Sequence, residues 1–309
     1  MTKKLSVIVI CITPFDEARR VDEAKMRKQL GRLRDAGVSV FVGGSGTGTG
    51  EGYSLDPEER DRILAIAVEE LKGKVPVYAD GVEPHTTKEM VSFVRQVENS
   101  GVDAVRVMPI EIGHAAKPSV VELERYNSTV IEASGSPIII TSHQAVGYVL
   151  PIDLIERLLN RFPSIIGINY GGTDITYLAE LIARVGDRIS VHCAGPYNGL
   201  SVLGLGGNGF MGGEGNFMPS LVGSVISAYQ AKDAERVRVS FGKLMALAAV
   251  INRYGGFTVR GLKPAMNAFG FPGGMLREPR VELEPAEIDK MVNELLAIKI
   301  PGVPAARVN

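Results

Sequence analysis

The 309-residue chain has two cysteines, four histidines and a formal net charge of −1. Two cysteines cannot make a disulfide framework, and Cys11 and Cys193 fall inside apolar segments where free cysteine acts as a small hydrophobe. Balanced charge leaves no electrostatic footprint for nucleic acid or an anionic membrane, and no apolar run reaches membrane-spanning length. Met1–Leu5 leads directly into a short apolar strand rather than into a signal-peptide core, so a cytoplasmic location is expected. The expected partners are a small molecule and another copy of the chain. One more absence bears on chemistry: none of the eight predicted strands ends in lysine, and the sixth, Ser164–Asn169, ends in asparagine. A desolvated lysine amine condenses with a carbonyl, whereas a carboxamide nitrogen has its lone pair delocalised and cannot.

What is present is an alternation. Short apolar runs at Ser6–Ile12, Val38–Gly43, Val75–Ala79, Ala104–Met108, Ile138–Thr141, Ile165–Asn169, Ile189–Cys193 and Gly209–Gly212 are separated by polar turns. Helical patterns such as Arg60–Leu71, Glu89–Asn99, Val120–Ala133, Leu154–Arg161 and Tyr177–Arg184 lie between them. Repeated βα units of this kind predict an α/β fold, a (β/α)8 TIM barrel over residues 1–231. After Leu221 the alternation gives way to helical patterns: Ser224–Ala231 reads as the last barrel helix, and Ala234–Asn252 and Pro285–Ala297 as a C-terminal helical appendage over 232–309 packed on the barrel. The end, Pro301–Asn309, reads as a loosely held tail.

Several segments resemble the dihydrodipicolinate synthase and N-acetylneuraminate lyase family of barrel aldolases. Thr13-Pro14-Phe15 resembles its T-P-F, Gly46–Gly52 its G-T-T-G-E turn, and Leu55–Arg60 the continuation of that turn. Lys263 with Pro264–Gly274, and Arg277-Glu278-Pro279, resemble its C-terminal K-x-x-L-x-x-x-G and R-x-P patterns. The resemblance implies the barrel, a lyase-type activity on a small oxo or hydroxy compound, and a homo-oligomer, dimer or tetramer; no cofactor is expected. It also implies a Schiff-base lysine in a G-I-K segment, and there this chain has Gly167-Ile168-Asn169. Gly48 stands where the family has a threonine, Glu111 and Thr141 where it has tyrosines, and Val146 near the place of a carboxylate-clamping arginine. The departures fall on the chemistry, so aldol cleavage, elimination or hydration by acid and base, without an imine, is the expectation.

Barrel enzymes place their sites at the C-terminal ends of the strands. His85, His114, His143 and His192 all lie at or beyond such ends, with Glu83, Glu111 and Glu214 among them. His192 reads as a core imidazole and His85 and His114 as loop residues, while Glu51 and Glu214 can equally be turn residues. Glu111 and His143 are the candidate acid and base, since His143 follows Thr141 by two residues and shares its side of the strand. Asn169 would orient an oxygen by hydrogen bonds. Gly48, Thr49, Glu51, Thr141 and Glu214 complete the candidate substrate contacts. No metal ligand set is assigned, because no H-x-H or H-x-x-E spacing occurs, although residues converging from several strands leave a metal-assisted lyase open. A non-catalytic metabolite-binding homologue is the other alternative.

Overall fold

The computed structural model describes residues 4–44, 49–114, 116–255 and 259–306. Eight strands close into a barrel in sequence order: β1 Ser6–Ile10, β2 Ser39–Val42, β3 Val77–Asp80, β4 Ala104–Val107, β5 Ile138–His143, β6 Ile165–Gly171, β7 Ser190–Ala194 and β8 Gly209–Gly212. The recorded pairings are parallel, as connections through helices require. Strands five and six run two residues past their predicted ends and thereby carry His143 and Gly171 into the sheet, paired with each other.

By its contacts the chain divides into two compact units, one built mainly on Tyr78–Met211 and the other on Ser6–Val77 with Gly212–Asn309. In the first, helices α3 Thr87–Val97, α4 Val120–Glu132, α5 Ile152–Arg161, α6 Ile175–Val185 and the short α7 Gly199–Gly204 follow their strands. Their starts are written in the sequence. Thr86, Ser119 and Asp174 each accept backbone N–H groups of the first turn, which would otherwise be unpaired, and Glu122 completes a capping box with Ser119. Each helix buries an apolar stripe, as with Leu154, Ile155, Leu158 and Leu159 on α5.

The second unit holds α1 Glu23–Asp35, α2 Pro57–Leu71, α8 Pro219–Gln230, α9 Ala234–Gly255, α10 Val259–Ala268 and α11 Pro285–Ala297. Here α9 packs on α8, and α10 and α11 pack on α9. Helix α10 escaped the sequence reading because Pro264 interrupts its pattern, yet it buries Leu262, Lys263, Ala265 and Met266. Two polar devices hold this unit. Asn216, fully buried, accepts the Ile12 N–H at 3.1 Å and the Gln29 side-chain N–H at 3.1 Å, and donates to the Ile10 carbonyl at 2.7 Å and the Gly213 carbonyl at 2.8 Å. Lys263, also fully buried, forms an ion pair with Glu51, donates to the Met275 carbonyl at 2.9 Å and sits 4.4 Å from the centre of the Phe15 ring. Burial pulls the Lys263 amine down to about 8, against the opposing pull of Glu51.

Among the described residues no helix is long and apolar enough to cross a membrane.

Candidate active site

The pleat of β5 and β6 decides which side chains meet. The Ser142 hydroxyl accepts the Leu150 N–H at 2.9 Å and lies 3.4 Å from the Tyr177 hydroxyl of α6, while Tyr170 stacks on Tyr177 with ring centres 4.8 Å apart. Both residues therefore face the helical layer. Successive side chains alternate, so Thr141, His143 and Asn169 face the interior of the barrel. Register extends that face: Thr141 lies opposite Asn169 and Asn169 opposite His192. Tyr170 accordingly points away from the interior, with its hydroxyl on the Asp174 backbone carbonyl. Tyr148 donates to the Ile110 carbonyl at 2.7 Å and pins the segment after β4.

Asn169 is 1 % exposed, and neither its carboxamide oxygen nor its nitrogen has a hydrogen-bond partner. An unpartnered buried amide is costly, by about 1–3 kcal/mol, and marks a place where something other than stability set the residue. Thr141 offers its hydroxyl only to the Met108 thioether, at 3.8 Å. His143 accepts the Ala145 N–H on Nδ1 at 3.1 Å, which leaves Nε2 to carry the ring proton in the neutral form and present it as a donor. Burial, reinforced by the Arg106 charge, pulls His143 down to about 4, so it is neutral at neutral pH. Its ring occupies the space a side chain at 171 would need, since a β-carbon there would lie 2.2 Å from Cδ2. Gly171 is thus required by the placement of His143. His192 is 6 % exposed and burial pulls it, too, down to about 4.

Glu111 has a different neighbour from the one expected. It closes on His85, with Oε2 3.1 Å from Nδ1, and Oε1 accepts the Gly113 N–H at 2.8 Å. The His85 ring is also 2.8 Å from the Glu111 carbonyl oxygen. The reason is local: Glu111 N–H donates to the Pro84 carbonyl at 2.8 Å, which ties the segment after β4 to the one after β3, where His85 sits. His114 and Lys117 lie exposed in the same region.

Arg106 and Asp80 were missed by the sequence reading. Arg106 interrupts an apolar strand, Ala104-Val105-Arg106-Val107, and Asp80 ends β3 directly opposite it. Both are at most 1 % exposed, with Arg106 Nε 2.6 Å from Asp80 Oδ1, a charge contact without the alignment of a full hydrogen bond. Arg106 then spans the interior to β8, donating Nη1 to the Met211 sulfur at 3.3 Å. Burial lifts the Asp80 carboxyl to about 7 against the pull of Arg106, and burial likewise raises Glu83. The available signal was a charged residue inside a strand that is buried on both faces.

Of the remaining expected contacts, Thr49, Glu51 and Glu214 belong to the second unit and Gly48 lies outside the described residues. Thr49 covers Gly213, whose missing side chain leaves it room, and Glu51 is the fully buried partner of Lys263. Glu214 opens a 3-10 turn, and burial raises its carboxyl. Among the described residues no group of three or more His, Cys, Asp or Glu is placed to hold a metal ion.

A closed parallel barrel with polar side chains on its inner face near the C-terminal strand ends is a (β/α)8 barrel of the TIM type. Residues 3–298 match the model of the Dihydrodipicolinate synthetase family, and the chain belongs to that family. It is 30% identical over 281 residues to a probable 5-dehydro-4-deoxyglucarate dehydratase of Methylobacterium radiotolerans, covering 89% of each chain. It is 29% identical to a 4-hydroxy-tetrahydrodipicolinate synthase of Methanopyrus kandleri, covering 92% of this chain and 91% of that one. The crystal structure of a dihydrodipicolinate synthase from Bacillus anthracis superposes with a TM-score of 0.86 at 22% identity, covering 97% of this chain and 100% of that chain. At that identity the likeness is one of fold.

Proposed function

We propose that the protein is a lyase that acts on a small oxo or hydroxy compound by acid–base chemistry, without forming a Schiff base. The observation that carries this is Asn169: a buried carboxamide with unused donors and acceptor stands where the family resemblance places the amine. It can hold a carbonyl or hydroxyl oxygen but cannot attack it. The relative named as a dehydratase supports elimination of water from an oxo acid as the reaction type. His143, neutral and presenting Nε2–H, suits polarisation of a carbonyl oxygen. Glu111 suits the base that removes the proton next to that carbonyl, with His85 holding the carboxylate and able to return a proton to the departing hydroxide as water leaves. Thr141 lies beside Asn169 and serves as a substrate contact.

A non-catalytic binding homologue is the second reading. It would be favoured by an interior filled with large side chains, and Tyr170 and Tyr148 are instead turned to other duties. We further take residues 1–231 as the catalytic barrel and 232–309 as its helical appendage, in a cytoplasmic homo-oligomer, dimer or tetramer.

Two measurements test this. Incubation with pyruvate and borohydride should leave the protein mass unchanged, and a stable reduced adduct would overturn the mechanism. Glu111→Gln and His143→Gln should each lower turnover of 5-dehydro-4-deoxyglucarate by about 10²-fold or more while shifting the thermal midpoint little. Full activity in the double variant would remove both residues from the site.

A further inference from the structure

The second unit carries an open cavity of about 680 Å³ whose walls include Tyr53, Arg260, Pro279, Arg280 and Val281. All five belong to that unit, whereas Glu111, His143 and Asn169 belong to the first. The size falls in the range of small-molecule sites, about 300–1,000 Å³. Two of the five are arginines and none is acidic. Nearby carboxylates are taken by other arginines: Glu59 pairs with Arg277 at 2.7 Å and Glu282 with Arg19 at 3.0 Å. Arg280 donates Nε to the Tyr53 hydroxyl at 2.7 Å and lies 5.5 Å from the centre of that ring. Among the described residues no carboxylate is in ion-pair contact with it, so its two Nη groups stay available. The Tyr53 hydroxyl, having accepted that bond, keeps its own proton to donate. Arg260 is already engaged: it donates Nε to the Val281 carbonyl at 3.0 Å and Nη1 to the Tyr254 carbonyl at 3.1 Å, with Glu287 3.9 Å away. Those bonds hold its charge at the wall of the cavity.

We propose that this cavity binds a phosphate monoester of a small molecule, with the Arg280 Nη groups and the Tyr53 hydroxyl on the phosphate oxygens and Arg260 supplying a second positive charge. A phosphate monoester brings a charge near −2 and three strong acceptor oxygens, and the guanidinium fork matches it in shape. A carboxylate brings one charge and two oxygens, so two cations and a hydroxyl complement it less fully. The organic part lies along Pro279 and Val281, the latter 69 % exposed, which give the cavity its apolar side. This site is independent of the lyase reading, because none of its residues belongs to the acid–base centre.

The test is calorimetric titration of the full chain with glycerol 3-phosphate, with glycerol as the uncharged counterpart and acetate as the carboxylate. The wild type should bind the ester with a Kd of about 1 mM or tighter, and should bind glycerol and acetate more weakly by about tenfold or more. Arg280→Met should weaken binding of the ester about tenfold or more. Tyr53→Phe, which keeps the ring and loses the hydroxyl, should weaken it about threefold. Neither side chain is buried, so both variants keep the core intact. Asn169→Leu, which alters the barrel interior, should leave the affinity unchanged. No binding of the ester by the wild type, equal binding of glycerol or acetate, undiminished affinity in Arg280→Met, or lost affinity in Asn169→Leu would each overturn the assignment. If the ester binds as described while the Glu111 and His143 variants keep full turnover, the acid–base reading fails and the phosphate site stands.

Discussion

Asn216 and Asn169 are both buried carboxamides, and they could hardly be more different. Asn216 uses its oxygen twice and its nitrogen twice, on Ile12, Gln29, Ile10 and Gly213. Asn169 uses neither atom. The two buried ion pairs do not divide in this way, since the carboxylates of Glu51 and Asp80 both meet their cations without an aligned hydrogen bond. Lys263 divides its donors between Glu51, the Met275 carbonyl and the face of Phe15, and Arg106 meets Asp80 and donates to the Met211 sulfur. Burial of polar groups is thus shared by scaffold and site. A carboxamide with neither atom used is what sets Asn169 apart, because a folded chain carries an unsatisfied polar group only where another pressure retains it.

One substitution can break this comparison by acting on both residues. Leucine has nearly the shape of asparagine without its polar atoms. Asn216→Leu strands the Ile12 N–H and the Ile10 carbonyl, and should lower unfolding free energy by about 3–5 kcal/mol in urea titrations. A loss under 1 kcal/mol would show that water or rearrangement replaces those bonds.

The histidines on the interior face give the next effect. Burial depresses His192 to about 4, below the 6.5 of an unfolded histidine, so its contribution to stability is complete above pH 6.5 and is lost as pH falls toward 4. The stability difference between wild type and His192→Asn should therefore shrink by about 3 kcal/mol between pH 7 and 4. Asp80, raised in the folded state, works in the opposite direction, but it is common to both chains and cancels in the difference. A pH-independent difference would place His192 in contact with water.

The smallest effect has the opposite sign. Asn169→Leu removes an unsatisfied group and should stabilise the protein by about 1–2 kcal/mol while eliminating turnover. If it destabilises the fold, the carboxamide is a structural group like that of Asn216, and the comparison collapses.

Much of the scaffold was legible in the sequence. All eight strands fall within two residues of the expected starts, because β-branched runs bounded by Gly, Asn and Asp need no distant partner to be recognised. The helix start after Ser119 was equally local, since Val120–Ala133 was legible as a helical pattern. Helix α10 was lost to Pro264, and Arg106 was passed over because its neighbours are apolar. The contact of Glu111 with His85 was not legible, for a topological reason: the segment holding Glu111 is bonded to Pro84, which carries His85 alongside it.

By itself the sequence determined the barrel, through its alternating periods, and determined that residue 169 cannot capture a carbonyl through nitrogen, since that follows from the electronics of an amide. Only the tertiary structure decided which polar groups were satisfied. Whether Asn169, Asn216 and Lys263 find partners depends on strand register and on atoms up to 206 residues away, as for Asn216 and Ile10. No local pattern encodes those distances, because hydrogen bonds are made or missed within a few tenths of an ångström.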